Sequence, residues 1–338
     1  MIAGWDIGGA QLKCVIIDAA GAPVMARQVP NKLWLGVPQL SAALRTLTAE
    51  VPSGARHALT MTGELADAFA DRASGVAAIL DCFGGVFPDA DARVFGRNGF
   101  TPLDTAHTHW IDVASANWYG SASLLARMVS DALMLDIGST TSDIVAVREG
   151  AVCAGAWDDF GRLASGELLY TGVVRTPLMA LADRVPVDGR LTGTMAELFA
   201  TSGDVYRLRG ELSAAADCAD TADGRSRSSA DSAARLARMV GRDAASAAPR
   251  VWADLADWYA ERQLRLIVAR CVERVAAAGL STNASVVGLG AGAFLARRVA
   301  ARLARRYIGF AEVCAVDPRF AEQIEICAPA YAVARLLP

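Results

Sequence analysis

The sequence predicts an α/β protein of two lobes, the second carrying a mostly helical insertion. Three observations predict it. A chain of 338 residues is too long for one simple core. A strand–turn–strand unit tipped by an aspartate opens the chain at Asp6 and recurs at Asp136. A third strand, a glycine turn and a helix follow from residue 285. Hydrophobic residues make up 53% and charged residues 20%, so the chain can bury a sizeable core and is not disordered as a whole. A formal net charge of -3 excludes a generic nucleic-acid coat and a polybasic membrane anchor. It leaves a phosphate ligand open, because a small site needs only local donors.

The first lobe is expected over residues 1–130. Ile2 to Ile7 reads as a strand, Gly8-Gly9 as its turn, Leu12 to Asp18 as the returning strand, and Val24 to Val29 as a third. Leu40, Leu44 and Leu47 fall at helical spacing within Pro38 to Glu50, and a strand is expected at Ala58 to Met61. A helix is expected from Thr62 through Ala70, short strands at Val76 to Phe83, Val94 to Phe95 and Trp110 to Val113, and a helix from Trp118 to Val129. The second lobe, 131–338, opens with strands around the turn in Ala132 to Val147 and continues through a mainly helical stretch from 166 to about 280. Within that stretch 214–250 reads equally as a mobile loop or a helical lid. The last unit is a strand Ser285 to Leu289, a glycine turn at 288–292, a helix Phe294 to Tyr307, a strand near Glu312 to Val316 and a helix Ala328 to Leu337 that can pack back on the first lobe.

No apolar run reaches the roughly 18 residues of a membrane span, and no basic region with a signal-type core opens the chain, so a cytoplasmic protein is expected. The seven cysteines are odd in number and form no CxxC pair, which fits reduced thiols better than a disulfide framework or a zinc site. Lysine is rare; Lys13 and Lys32 are the only two, which makes the place of Lys13 more informative than that of an average lysine.

The chemistry suggested by the repeated unit is that of an anion held with a metal. Glycine lets a turn tighten and brings backbone N–H groups close to phosphate oxygens, since no Cβ intervenes. The candidate phosphate contacts are Gly8, Gly9 and Lys13 in the first turn, Gly138, Ser139 and Thr140 in the second, and Gly290 and Gly292 in the third. Asp6 and Asp136, at strand ends, are placed to bind Mg²⁺ directly or through its waters. One DxGG turn alone is a weak signal; two with a third glycine turn are far more specific.

That ordered trio resembles the actin, Hsp70 and sugar-kinase superfamily, in which two ribonuclease-H-like lobes close on a nucleotide held between two phosphate hairpins. Within it the chain is similar to the hydantoinase/oxoprolinase-like group, and more closely to proteins attached to tetrahydromethanopterin-linked one-carbon transfer, whose archaeal relatives make methanofuran. The residues that carry the resemblance span nearly the whole chain. They are Gly4-Trp5-Asp6-Ile7-Gly8-Gly9-Ala10, Met61-Thr62-Gly63-Glu64-Leu65-Ala66-Asp67, Ala114-Ser115-Ala116-Asn117-Trp118, Leu169-Tyr170-Thr171-Gly172-Val173-Val174-Arg175-Thr176-Pro177 and Thr221-Ala222-Asp223-Gly224-Arg225. Gln11 departs from the pattern, where a His or similar polar residue is expected.

The resemblance implies a synthase that joins an aminomethylfuran-methyl diphosphate to the phenol oxygen of a γ-glutamyl-tyramine and expels diphosphate, without consuming ATP. It implies Mg²⁺ on Asp6 and Asp136, diphosphate on the glycine loops and Lys13, and a base among Glu64, Asp143 and Glu167. Arg175 is a candidate fork to phosphate or carboxylate, and Asn117, Tyr170, Asp223 and Arg225 are candidate substrate contacts. The expected partners are a small phosphorylated substrate and a second copy in a homodimer, with no nucleic acid and no membrane.

Plainer readings stand beside these. Arg175 also reads as an ordinary ion pair, Tyr170 as core with a hydrogen-bonded tip, Asn117-Trp118 as a helix start with a buried indole, and Asp223 with Arg225 as a solvated turn. His107 and His109, near Asp104 and Asp112, lack two further ligands for zinc. The arginines of 297–306 fit the wet face of an amphipathic helix. Two other functions compete with the synthase: an ATP-dependent kinase or amidohydrolase-type ATPase, and a nucleotide-binding regulator without turnover.

Overall fold

The structure, a computed structural model, describes residues 1–338. Its strands are β1 (Ile2–Ile7), β2 (Gln11–Ile17), β3 (Pro23–Pro30), β4 (Arg56–Met61), β5 (Ala92–Gly96), β6 (Gly99–Pro102), β7 (Ala132–Ile137), β8 (Ser142–Arg148), β9 (Ala151–Cys153), β10 (Leu168–Leu169), β11 (Arg184–Val187), β12 (Arg190–Gly193), β13 (Ser285–Leu289) and β14 (Tyr307–Gly309). Its helices are α1 (Val37–Leu47), α2 (Arg72–Val86), α3 (Trp110–Val113), α4 (Asn117–Ala126), α5 (Asp159–Ser165), α6 (Ser202–Leu208), α7 (Ser229–Arg238), α8 (Pro249–Ala278), α9 (Ala293–Arg302), α10 (Phe310–Val313), α11 (Ala321–Ile326) and α12 (Ala328–Leu336). No helix is long and apolar enough to cross a membrane.

The chain forms two compact units. The first comprises 1–131, 147–153 and 309–338; the second, 132–146 and 154–308. In the first, the sheet order is β3-β2-β1-β4-β5-β6. The hairpins β1–β2–β3 are antiparallel, whereas β4 lies parallel to β1 and β5 parallel to β4. Parallel neighbours require a crossover, supplied by α1 between β3 and β4 and by α2 between β4 and β5. Alternate residues of β1 and β2 (Trp5, Ile7, Leu12, Cys14) face these helices and form a core with Leu44, Leu59, Met61, Val76, Ile79 and Phe83. Against the strands β1, β2 and β4 also lies α12, which packs on α4 as well and is almost wholly buried.

In the second unit the order is β10-β8-β7-β13-β14. β13 is parallel to β7, with Leu289 opposite Asp136, and β10 is antiparallel to β8. Each sheet thus places its opening strand in the middle, its hairpin partner on one side and a parallel strand on the other. The recurrence of the Asp-Ile-Gly unit in sequence is a recurrence of this strand order. The insertion holds α6, α7 and the 30-residue α8, together with the hairpin β11–β12 and much irregular chain.

Several local expectations are corrected. Val76 to Phe83 is not a strand but the middle of α2, whose start is fixed by a reciprocal capping box between Asp71 and Ser74. Thr62 to Ala70 is a run of turns, not a helix. Trp110 to Val113 is the short helix α3, not a strand. His107 and His109 lie on a 3₁₀ turn between β6 and α3. Near the C-terminus the helix ends at Arg302, the strand lies at Tyr307–Gly309, and Glu312 is in helix α10. Residues 214–250 include the helix α7.

Candidate functional site

The first loop is a tight connection between β1 and β2. The Gly8 N–H donates to the Gln11 carbonyl (3.0 Å) and closes the turn. The carbonyls of the turn are tied from behind by the segment after β3. The Asn31 side-chain amide donates to Gly8 O (2.7 Å), the Leu33 N–H to Gly9 O (3.0 Å) and the Asn31 N–H to Ala10 O (2.9 Å). In a trans peptide the N–H points opposite the C=O. The amides of Gly9 and Ala10, which follow the tied carbonyls of Gly8 and Gly9, therefore face away from 31–33, and neither makes a hydrogen bond. Two successive unpaired amides are donors that an anion could satisfy.

Asp6 lies opposite Lys13 in the β1–β2 register, and the Lys13 ammonium donates to its Oδ2 at 3.2 Å. Asp6 is 3% exposed, and its Oδ1 is buried without a hydrogen-bond partner. So is the Oγ1 of Thr60, its neighbour on β4. An orphaned carboxylate oxygen beside a loop that offers N–H donors to an anion fits a metal, which would complete it. No group of three or more His, Cys, Asp or Glu side chains gathers as a metal cage. The residues therefore suit Mg²⁺, which takes one or two carboxylates and completes its shell with water and phosphate.

The first loop also organises Glu64. Thr62 and Gly63 both donate their N–H to Ile7 O (3.1 and 3.0 Å), which brings the Thr-Gly-Glu turn onto the end of β1. Glu64 is buried, and Ser115 donates its hydroxyl to Oε1 at 2.6 Å. Ser115 sits at φ 51°, just before α4. Asn117 begins that helix and accepts the Trp118 N–H on its own Oδ1 (2.7 Å), while the Trp118 indole is buried. Ser115 is a functional candidate that the residue pattern alone did not single out, since only the fold carries it to Glu64.

The second loop repeats the construction. The Gly138 N–H donates to Thr141 O (2.8 Å) and closes the turn between β7 and β8. Gly138 O accepts from the Val173 N–H (3.0 Å); Ser139 O accepts from the N–H groups of Val174 (3.1 Å) and Arg175 (2.8 Å). The amides of Ser139 and Thr140 accordingly point away from 173–175 and are unpaired. Gly172 touches the loop so closely that a Cβ there would lie 2.5 Å from Gly138 O and Thr140 N. The third glycine turn closes the other side. The Gly292 N–H donates to Ile137 O (2.7 Å), and Gly290, at φ 82°, has room for no side chain: a Cβ would fall 2.5 Å from Asp136 Oδ1. Asp136, Gly138–Thr140, Gly172–Arg175 and Gly290–Gly292 therefore form one assembly within the second unit.

Not every expected contact has the role its sequence position suggested. The amides of Gly8 and Gly138 close their turns; the available donors are those of Gly9, Ala10, Ser139 and Thr140, so Ala10 joins the site. Glu167 is buried, with Oε1 taken by the Gly155 N–H (2.7 Å) and Arg274 (2.8 Å) and Oε2 by Ser165 (3.0 Å). Such a carboxylate has no oxygen left for a substrate proton. Asp143 pairs with the buried Arg162 at 2.9 Å. Tyr170 is not core but 64% exposed. Arg175 is half-buried, and burial pulls its guanidinium below the usual arginine range, an effect the Tyr170 side chain offsets in part. Asp223 accepts from Arg235 (2.9 Å), Arg238 (3.2 Å) and the Arg225 N–H (3.1 Å). Burial raises its pKa, but these donors outweigh that and hold it below the usual carboxylate range. Arg225 is exposed on the surface of the same turn.

A model of the hydantoinase/oxoprolinase family matches residues 56–337, from β4 through the second loop and the third glycine turn to the last helix. The chain belongs to the hydantoinase/oxoprolinase family. Among curated proteins this family member is similar to the (4-{4-[2-(γ-L-glutamylamino)ethyl]phenoxymethyl}furan-2-yl)methanamine synthase of Methanocaldococcus jannaschii, at 27% identity over 339 residues, covering 100% of this chain and 97% of the synthase. The protein of the same name from Methanococcus vannielii is 31% identical over 108 residues, 32% of this chain and 48% of that one. Among solved structures, nucleotide-free acetone carboxylase, described with ATP-dependent acetone carboxylation, aligns with a TM-score of 0.59 at 10% identity, covering 99% of this chain and 70% of that one. The likeness shows a shared mixed α/β fold.

Proposed function

We propose that this family member is a transferase in the biosynthesis of a methanofuran-like one-carbon carrier. It condenses an aminomethylfuran-methyl diphosphate with the phenol of a glutamyl-tyramine or tyrosine-type acceptor and releases diphosphate. The observation that carries this reading is the full-length similarity to the archaeal synthase. The loops support it: a diphosphate leaving group needs oriented donors for its growing negative charge, and two pairs of unpaired amides are donors of that kind.

In this reading the furan-methyl carbon ionises readily because the ring shares the positive charge, so the work of the protein is to stabilise the departing diphosphate. The amides of Gly9 and Ala10 with Lys13, and those of Ser139 and Thr140 with Arg175, donate to phosphate oxygens. Arg175 suits that role because its guanidinium is partly desolvated and gains most from an anion. Asp6 and Asp136 are the carboxylates assigned to Mg²⁺, which when bound neutralises phosphate charge. Glu64 is assigned the phenol proton. Of the three carboxylates considered, Glu167 is saturated and Asp143 is held by Arg162, whereas the Ser115 hydroxyl orients Glu64 through one oxygen.

The test is an incubation with both synthetic substrates, Mg²⁺ and no nucleotide, assayed for the aryl ether and for diphosphate. Ether and diphosphate in equal amounts are expected. Folded protein that yields neither, while hydrolysing ATP or gaining thermal stability from Mg-ATP but not from Mg-diphosphate, would establish the ATP-dependent alternative instead. Glu64→Gln is expected to lower kcat by about 10²-fold or more, the span of a general base, while diphosphate affinity stays within about twofold.

A further inference from the structure

The segment Asp220-Thr-Ala-Asp-Gly-Arg-Ser-Arg227 has the composition of a solvated turn. Its anchoring is of another kind. At its base lies Arg235, 0% exposed, which donates to Asp223 (2.9 Å), to Asp204 (2.8 Å) and to the Ser226 carbonyl (3.1 Å). Asp204 also receives Arg207 (3.0 Å), and Arg207 grips Asp217 through two further hydrogen bonds at 2.6 and 2.7 Å. Burying charges on this scale returns little net stability compared with apolar packing, so its use under an exposed turn argues for fixing position. What it positions is Arg225. The turn's backbone is locked on both sides of that residue, by the Arg225 N–H on Asp223 and by Thr221 Oγ1 donating to Arg225 O (2.7 Å). Its guanidinium makes no hydrogen bond; the nearest acid, Asp223, lies 3.9 Å away and is held by other donors. It borders an open surface depression of about 640 Å³ lined by Asp220, Thr221, Gly224, Arg225, Ser226 and Arg227.

We propose that this depression binds the amino-acid end of the acceptor, with Arg225 receiving its carboxylate. The identity of the ligand rests on the transferase reading above. A guanidinium is a planar fork matched to a carboxylate. The product that names the archaeal synthases carries a γ-glutamyl group of this chemistry. The depression also shares a framework with the second loop. The Ser202 and Gly203 N–H groups at the start of α6 donate to Thr176 O (2.8 Å) and Val174 O (3.0 Å), and α6 carries Asp204 and Arg207.

Calorimetric titration of the full-length protein with γ-glutamyl-tyramine and with tyramine tests the site without requiring turnover. The wild type is expected to bind the glutamyl form at least about tenfold more tightly, a difference within reach of charge-assisted hydrogen bonds to one arginine. Arg225→Gln should abolish that preference and Arg225→Lys keep part of it. Equal or undetectable binding of the two ligands by the wild type would overturn the proposal, as would a preference that survives Arg225→Gln. Loss of inorganic diphosphate binding in Arg225→Gln would show a phosphate site in its place. Ether formation is assayed separately: turnover with no glutamyl preference sinks this site and spares the reaction, and a preference without turnover does the reverse.

Discussion

Position 172 shows how much of the second loop depends on the absence of one methyl group. A Cβ at Gly172 would meet Gly138 O, the Ser139 carbonyl carbon and Thr140 N at 2.5 Å each, all backbone and unable to swing aside. Gly172→Ala is therefore expected to push the loop off its present path and misdirect the Ser139 and Thr140 amides. Diphosphate affinity, read by calorimetry, should fall about tenfold or more while far-ultraviolet circular dichroism stays native; unchanged affinity would show that these amides do not hold the ligand. His57 makes a second residue-scale case, this time for stability. It is 4% exposed, accepts the Trp5 indole N–H on Nδ1 (3.1 Å), and burial lowers its pKa from 6.5 to about 4, against a smaller opposing effect of Asp91. The folded state thus keeps a neutral imidazole where the unfolded chain takes up a proton. Its contribution, on the order of 3 kcal/mol, is complete above pH 6.5 and is lost as pH falls towards 4. Urea unfolding at pH 7 and pH 4.5 should show a smaller loss for His57→Gln than for the wild type, since other titrating groups are common to both.

At the scale of elements, α8 reaches the second loop through one side chain. Gln263 donates from Nε2 to Thr171 Oγ1 (2.8 Å) and Gly172 O (2.9 Å) and accepts the Tyr206 hydroxyl on Oε1 (2.7 Å). Burial pushes the Tyr206 phenol up, against smaller effects of Arg298 and Arg209, so it remains a donor and fixes which way the amide faces. Gln263→Met keeps the volume and leaves Thr171 and Tyr206 unpartnered, which should cost on the order of 2 kcal/mol and weaken diphosphate binding several-fold. A lower melting temperature with unchanged diphosphate affinity would mean that α8 supports the unit but not the loop. None of this was legible in the sequence, because Gln263 and Thr171 stand 92 residues apart and a buried glutamine has no motif. The two hairpins were legible because strand, aspartate, glycine turn and returning strand are all local. Glu167 shows the opposite case: an acid beside a strand reads the same whether it takes a proton or anchors Arg274. For α2 the signal was present and outweighed by composition. Val76, Ile79, Leu80 and Phe83 keep helical spacing after the Asp71 cap, yet the short apolar run from Val76 to Leu80 also reads as a buried strand.

For the whole molecule, the decisive feature is that the two units are not consecutive stretches of chain. Residues 309–338 return to the first unit, and 147–153 belong to it as well. The returning segment supplies α12, with Tyr331 1% exposed and Val333 fully buried, packed on β1, β2, β4 and α4. Without it the strands β1, β2 and β4 lose a layer that keeps their apolar side chains from water, and an α/β sheet of this kind needs cover on both faces. The first unit therefore cannot finish folding until the last residues of the chain are available, a long-range closure of the sort that slows folding. A fragment ending at Asp131 is expected to collapse without cooperative unfolding and to bind a hydrophobic dye. The same fragment joined to 309–338 through a flexible linker should recover a cooperative transition and lose most of the dye signal. A native-like near-ultraviolet spectrum and sharp melting of 1–131 alone would show that the sheet is stable without α12, and that the boundary between the units can be cut as a simple linker.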